Sequence, residues 1–260
     1  MARQNGVGSD LVVRMVVQTP QLSLTQGSLE PSAIRLGSFA ARDWEIVTWV
    51  ARIGAVTIEQ IRTRFQLGRT VGYRRVAACA EAGLLERVDL LRGQPALIRA
   101  TRRGLRFSGT GLGVAQAPPE LVGHWITCAD VALLLEAEFG WGAIRSEREI
   151  RALERGLGRP LASASLGDSG EGERFHRADL AVVRDDSVVA VEVELTPKAP
   201  RRLEQIVRAW RRARAIESIR YYVPQGATSR AVERAIASVH AGERVQLHSL
   251  TPATGLRGGR

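Results

Sequence analysis

Apolar positions at helical spacing characterise the N-terminal half of the chain. Residues 43–53 carry apolar side chains at every third or fourth position, which predicts an amphipathic helix. Thr57, with Gln60 three residues later, predicts a capping box for a second helix, IEQIRTRF, and Thr70 is expected to cap a third, VGYRRVAACAEAGLL. The runs LERVDLL and ALIRAT flank the turn RGQP and predict a hairpin. Three helices followed by a hairpin are typical of a winged helix-turn-helix.

The C-terminal half alternates between helical spacing and short apolar runs. This pattern predicts the order helix, strand, strand, strand, helix, strand, helix, strand, which is an α/β layered domain. The consecutive strands are expected in GAIRSEREIR, HRADLAVVRD and SVVAVEVELT, the last two joined as a hairpin. Pro200 lies in the first turn of the long amphipathic helix that follows, and Thr228 is expected to cap the next helix.

Changes in composition mark the predicted domain boundaries. The chain divides into a flexible arm over residues 1–38, a winged helix over 39–108, a linker over 109–122, an α/β domain over 123–250 and a disordered tail over 251–260. Residues 153–173 are rich in Gly and Ser and are expected to form a loop inside the second domain.

Neither a membrane span nor a disulfide framework is expected. No apolar stretch approaches about 18 residues, and Arg14 interrupts the apolar patch near the N-terminus, which argues against a secretory signal. Two cysteines are too few for a disulfide framework or a zinc site. A reducing cytoplasm is therefore the expected location.

The net charge of +10 is concentrated in the N-terminal half. Residues 1–119 hold 16 basic and 8 acidic side chains, whereas residues 120–260 hold 21 and 19. The basic half favours a polyanionic partner, with a solvated face as the alternative. In a winged helix-turn-helix, the third helix enters the major groove and the wing tip contacts the DNA backbone, so this domain is predicted to bind double-stranded DNA. The alternative interpretation of the domain is a protein-interaction module. The predicted DNA-binding residues are Arg69, Thr70, Tyr73, Arg74, Arg75, Arg92 and Gln94.

Three carboxylates occupy or flank strand positions where apolar side chains are the rule. Glu192 and Glu194 share one face of the predicted strand AVEVELT, and pairing with the preceding strand brings Asp179 beside Glu192. Carboxylates packed together repel each other unless a proton or cation lies between them. Mg²⁺ and Mn²⁺ prefer such oxygen ligands, so the pattern predicts a metal site, with an exposed, ordinarily charged sheet face as the alternative.

These residues carry a resemblance to known families. Asp179, followed by Glu192-Val-Glu194, resembles the PD-(D/E)XK nuclease superfamily, in which the acids hold a divalent metal and a lysine helps to position the attacking water. The segments HRADL, VEVELTPK and SEREIR together, after a winged helix, resemble the replication-relaxation family of bacterial mobile elements over roughly residues 40–240. The resemblance implies a winged helix-turn-helix followed by a PD-(D/E)XK-like αβββαβ domain, with Mg²⁺ or Mn²⁺ at Asp179, Glu192 and Glu194.

The sequence departs from the nuclease pattern at its lysine. Glu194 stands where the motif has Lys, while Lys198 is the only lysine beside 36 arginines. Two interpretations follow: Lys198 is a displaced catalytic lysine, or the site is inactive. His176 is a candidate general base or a structural histidine. Glu147 and Glu149 share one predicted strand face and could supply a further ligand or form ion pairs with neighbouring arginines. His124 and Trp125 are expected to be packing residues. The start of the following helix offers phosphate contacts or a solvated face, at Arg201, Arg202 and Gln205.

The function predicted from these observations is metal-dependent DNA cleavage. The protein is expected to be an endonuclease or nickase that acts in replication or transfer of a plasmid or other mobile element. The alternatives are a catalytically inactive winged-helix DNA-binding factor and a protein adaptor. The expected partners are double-stranded DNA, a second copy in a homodimer, and plasmid replication or transfer proteins, with no membrane, and the expected location is the cytoplasm, on the nucleoid or a plasmid.

Overall fold

The computed structural model describes residues 41–90, 93–116, 118–170, 172–185 and 187–250. The predicted arm over residues 1–38, the tail over residues 251–260 and Arg92 lie outside these ranges. All of the described residues belong to one compact unit. Among the helices in these ranges, none combines the length and apolar character needed to cross a membrane.

The N-terminal part of the described chain is a winged-helix-like element. Its members are α1 (Ala41–Ile53), β1 (Ala55–Thr57), α2 (Ile58–Phe65), α3 (Arg69–Glu81), β2 (Leu85–Val88), β3 (Leu97–Ala100) and α4 (Arg102–Ser108). The strands form an antiparallel sheet in the order β1-β3-β2. The capping box of α2 is present, because the Gln60 amide donates to Thr57 Oγ1 at 3.2 Å and the Thr57 amide donates to Gln60 Oε1 at 2.8 Å.

The predicted cap of α3 is wrong. The helix begins at Arg69 and its N-cap is Gly68, which has no side chain to accept a hydrogen bond. Thr70 therefore lies inside the first turn, with its side chain exposed.

Helix α4 is an element that the sequence interpretation omitted. Thr101 caps it by accepting from the Gly104 amide at 3.1 Å, and its hydroxyl donates to the Gly83 carbonyl at 2.6 Å. A Cβ placed on Gly104 would lie 2.0 Å from the carbonyl oxygen of Leu84. The backbone of α4 thus packs directly on the segment that enters β2.

The C-terminal part is an α/β arrangement around a five-stranded sheet. Its members are α5 (Val122–Phe139), β4 (Ile144–Ser146), α6 (Glu147–Leu157), β5 (Ser163–Asp168), β6 (Glu173–Arg177), β7 (Leu180–Arg184), β8 (Ser187–Val193), α7 (Pro200–Arg212), β9 (Ser218–Val223), α8 (Ala227–Ser238) and β10 (Val245–Ser249). The sheet order is β10-β9-β8-β7-β4, and β5 and β6 form a separate pair. Strands β8, β9 and β10 are parallel, whereas β7 is antiparallel to both of its neighbours.

Two apolar clusters fill the two sides of this sheet. On one side, α5 packs with Val182 and Val191 and continues into the apolar residues of α1. On the other side, α7 and α8 pack on Ala181 and Ala190. Alternate residues of β8 therefore face different layers, as the period of a strand requires.

Four predictions for this half are wrong in detail. Helix α8 begins at Ala227 with Gly226 as its N-cap, so Thr228 lies inside the first turn and does not cap the helix. The segment SEREIR is a helix and not a strand, because Ser146 and Glu149 form a capping box that starts α6 immediately after the short β4. Glu147 and Glu149 therefore share no strand face. HRADLAVVRD contains two strands, β6 and β7, separated by Ala178 and Asp179. Residues 153–173, predicted as a loop, include the end of α6 and all of β5.

The two predicted domains share a continuous apolar core. Residues of α1 and residues of β7 and β8 belong to one cluster. Polar contacts reinforce this packing: Arg52 pairs with Glu149 at 2.6 Å, its guanidinium lies 4.0 Å from the centroid of the Trp141 ring, and Ser146 Oγ donates to the Arg52 carbonyl at 2.6 Å. The winged-helix-like element is thus packed firmly against the α/β sheet.

Candidate active site and basic surface

A cavity of about 850 Å³ lies where β8 ends and α5 begins. Its walls come from the segment before α5, the start of α6, the β6–β7 junction and the loop that follows β8. The five residues predicted as catalytic all line it: Asp179, Glu192, Glu194, Lys198 and His176. The fold therefore brings together side chains that are up to 22 residues apart in the chain.

The register of β7 and β8 places Asp179 next to Glu192. Leu180 pairs with Val191, so these two acids occupy the next position along the antiparallel pair. Asp179 lies just before β7, and its Oδ2 accepts a hydrogen bond from the Val193 amide at 2.8 Å. This side-chain bond takes the place of the backbone pairing that ends at Leu180, and it fixes the Asp179 carboxylate at the edge of the cavity.

Glu192 is a buried carboxylate that His176 and Trp210 contact by hydrogen bonds. Only 4% of its surface is exposed. Its Oε1 accepts from Trp210 Nε1 at 3.1 Å and lies 2.9 Å from His176 Nε2. Burial raises the pKa of Glu192, and the neighbouring His176 acts in the opposite direction. Burial lowers the pKa of His176, but the Glu192 carboxylate outweighs this effect, so the pKa of His176 is also raised.

Lys198 forms an ion pair with Glu194. Glu194 is 5% exposed, whereas Lys198 is partly exposed in the loop before α7. Glu194 occupies the position at which the motif has its lysine, and Lys198 lies four residues later in the sequence. The Lys198 ammonium group nevertheless lies beside the Glu194 carboxylate.

His124 is a site residue that the sequence interpretation missed. It was expected to pack, yet its Nε2 lies 3.1 Å from Asp179 Oδ1 and 3.4 Å from Cys128 Sγ. The hydrogen bond to Asp179 raises the pKa of His124, and burial raises the pKa of the Cys128 thiol. The available signal was the spacing of His and Cys four residues apart on a helix, which places both on one face.

The other candidates near the site have ordinary surroundings. Glu149 serves as a cap and pairs with Arg52, while Glu147 lines the cavity and pairs with Arg151 at 2.6 Å. Three residues of α7 lie outside the lining of the cavity: Arg201, Arg202 and Gln205. Tyr221 and Tyr222 are buried in β9.

The donor set fits a divalent cation. Five carboxylates and two imidazoles line one cavity, and two of the carboxylates, Glu192 and Glu194, are almost fully buried. Such a concentration of negative charge is stabilised by protons, cationic side chains or a metal ion. Asp179 and Glu192 are neighbours across the β7–β8 pair.

Helix α3 presents several of its predicted contact residues to solvent. Arg69, Thr70, Tyr73 and Arg74 are exposed, and Gln94 is exposed in the turn before β3. Arg92 lies outside the described residues.

Arg75 differs from these residues, because it turns towards α1 and pairs with Asp43 at 2.6 Å. Helix α4 adds three exposed arginines that have no hydrogen-bond or ion-pair partner in the part of the chain that is described: Arg102, Arg103 and Arg106.

Comparisons with known proteins give a weak structural likeness. No family model matches the chain, and no curated protein matches it. Among solved structures, the reduced form of MarR from E. coli is similar over 48% of this chain and 80% of that chain, with 16% sequence identity and a TM-score of 0.27.

Proposed function

We propose that the protein binds duplex DNA through its winged-helix-like element and cleaves a DNA strand by metal-dependent chemistry at the cavity. The observation that carries this proposal is the convergence of Asp179, Glu192, Glu194 and Lys198 on one cavity at the end of β8. This set matches the acids of the PD-(D/E)XK pattern and supplies a lysine from a nearby position. The resemblance adds the biological setting, which is replication or transfer of a mobile element.

The acids would hold the ion and the surrounding residues would hold the acids. Asp179 and Glu192 are the proposed ligands, with Glu194 beside them. Trp210 and His176 fix Glu192 through its Oε1, and the Val193 amide fixes Asp179 through its Oδ2. When bound, Mg²⁺ or Mn²⁺ would lower the pKa of a coordinated water and polarise the phosphate that is cleaved.

Lys198 would stabilise the negative charge that develops on the phosphate oxygens. Its ammonium group lies at the carboxylate cluster, through the ion pair with Glu194, and it lines the same cavity as the proposed metal ligands. His176 contacts Glu192 and lines the same cavity, which places it to accept or pass on a proton of the attacking water. The resemblance implies products with a 5′-phosphate and a 3′-hydroxyl.

Exposed arginines would position the DNA. Arg69 and Arg74 are exposed in the N-terminal half of α3, the part of a recognition helix that contacts the major groove, and α4 carries three further exposed arginines. Contacts of arginine with phosphate contribute a binding energy that falls steeply with salt concentration.

Nicking of supercoiled plasmid in Mg²⁺ or Mn²⁺ tests this function. We expect the wild-type protein to nick, Glu192→Gln to abolish nicking, and Lys198→Ala to reduce it by at least about a hundredfold, because each removes stabilisation of the transition state. Glu233→Gln, an exposed carboxylate on α8, is the matched control and should nick like wild type. Nicking that survives in Glu192→Gln would exclude the cavity as the catalytic site.

A second candidate function is a catalytically inactive DNA-binding factor. The ion pair between Lys198 and Glu194 favours it, because the pair already neutralises one acid without a metal. Salt-dependent DNA binding by the wild-type protein, with no nicking in either metal, would support this candidate over the nuclease.

A further inference from the structure

Helix α5 and the β6–β7 junction bring three metal-binding side chains together. His124 and Cys128 are one helical turn apart on the same face of α5; His124 contacts Asp179, and Cys128 contacts His124. His124 Nε2 lies 3.1 Å from Asp179 Oδ1 and 3.4 Å from Cys128 Sγ. The three ligand atoms all lie within 4.8 Å of one another.

These separations suit one small ion. Zinc bonds of about 2.0–2.3 Å in a tetrahedron place neighbouring ligand atoms roughly 3.3–3.7 Å apart. The nitrogen–oxygen and sulfur–nitrogen distances lie close to that range and the sulfur–oxygen distance is at most 4.8 Å, so side-chain rotations that draw the three atoms together would admit an ion. Asp179 needs little further support, because its Oδ2 is already held by the Val193 amide and its Oδ1 faces His124.

The donor chemistry selects the class of metal. Imidazole and thiolate favour Zn²⁺, Co²⁺ and other transition metals, whereas Mg²⁺ takes oxygen ligands. Three protein ligands leave a fourth tetrahedral position, and this position opens on the cavity of about 850 Å³. Structural zinc sites are closed by four protein ligands, whereas catalytic zinc sites keep such an open position.

We propose that His124, Cys128 and Asp179 bind one transition-metal ion, with zinc as the native metal class, and leave one position open to the cavity. The Cys128 thiol loses its proton to solvent on binding, so the bound ligand is a thiolate. This site shares Asp179 with the proposed nuclease site. Binding of the ion does not depend on the proposed nuclease function, whereas any catalytic role of the ion rests on it. It differs from the sequence expectation that two cysteines are too few for a zinc site.

Metal titration of the metal-free full-length protein tests the proposal without an activity assay. Calorimetry with Zn²⁺ should show one site per chain, and Co²⁺ should give a sulfur-to-cobalt charge-transfer band in the near ultraviolet. Cys128→Ser should lose this band, and His124→Ala should weaken Zn²⁺ binding by at least about tenfold. Cys79→Ser is the matched control and should keep the band, because Cys79 is buried in α3 within the winged-helix-like element.

The outcomes separate this proposal from the nuclease. Absence of Zn²⁺ binding, or a charge-transfer band that persists in Cys128→Ser, would overturn the metal site, whereas nicking in Mn²⁺ that depends on Glu192 could still stand. Circular dichroism verifies that each variant is folded, and Cys128→Ala provides a second variant if the serine substitution unfolds the protein.

Discussion

Gly104 illustrates how a single residue fixes the position of an element. It lies in the interior of α4, where alanine is favoured over glycine by about 1 kcal/mol in an exposed helix. Here the space for a side chain is filled by the Leu84 carbonyl, 2.0 Å from an added Cβ. The steric term therefore outweighs the helix preference.

Gly104→Ala should lower the free energy of unfolding by about 1–3 kcal/mol, because the added methyl group forces α4 away from the β2 entry. Urea denaturation measures this directly. Gly113→Ala is the control, since an added Cβ meets nothing within 4 Å there, and its effect should stay within about 0.5 kcal/mol. Equal stabilities for the two variants would show that α4 does not pack as described.

Capping residues show why element boundaries were predicted unevenly. Thr57 and Gln60 were recognised from their spacing, and the same kind of spacing at Ser146 and Glu149 was overlooked because the flanking residues looked like a strand. Thr70 was predicted as a cap because threonine is common there, yet Gly68 fills that position. Local sequence fixes the type of an element better than the residue at which it begins.

Removing a true cap should cost more than removing a predicted one. Ser146→Ala should lower the free energy of unfolding by about 0.5–2 kcal/mol, because Ser146 caps α6 and also donates to the Arg52 carbonyl. Thr70→Ala should change it by less than about 0.5 kcal/mol. Thermal or urea unfolding of both variants distinguishes them, and a larger cost at Thr70 would contradict the described start of α3.

Adjacent arginines on α3 have opposite roles. Arg74 is exposed, whereas Arg75 pairs with Asp43, which is only 6% exposed. Arg74→Gln should weaken DNA binding and reduce the salt dependence by about one ion, without loss of stability. Arg75→Gln should instead lower the free energy of unfolding by about 1–3 kcal/mol, because Asp43 loses a charged hydrogen bond.

Fluorescence anisotropy with labelled duplex DNA across salt concentrations, together with urea unfolding, assigns the two effects. If Arg75→Gln changed the salt dependence and Arg74→Gln did not, the orientation of α3 towards DNA would be wrong.

The whole molecule combines what the chain pattern reveals with what only the fold reveals. The Asp179–Glu192 pairing followed from strand periodicity and one hairpin, because both depend on local sequence. His124 reaches Asp179 across 55 residues, and Arg52 reaches Glu149 across 97, so neither contact leaves a local pattern. For the same reason, the sequence pattern predicts two separate domains and does not reveal the apolar core that α1 shares with the α/β sheet.

That shared core gives the proposed function a defined geometry. The exposed arginines of α3 and α4 and the carboxylate cavity are parts of one packed unit. DNA bound to the first would therefore stand in a fixed relation to the second, without a mobile linker between them.

The most direct test of the account compares wild type with Asp179→Asn for both plasmid nicking in Mn²⁺ and binding to duplex DNA. Asparagine keeps an oxygen for the Val193 amide but removes the charge that would hold an ion. The account predicts that the wild-type protein nicks, that the variant loses at least about a hundredfold of this activity, and that both bind DNA equally. Equal nicking by the two proteins, or no nicking by the wild type in Mn²⁺, would contradict it.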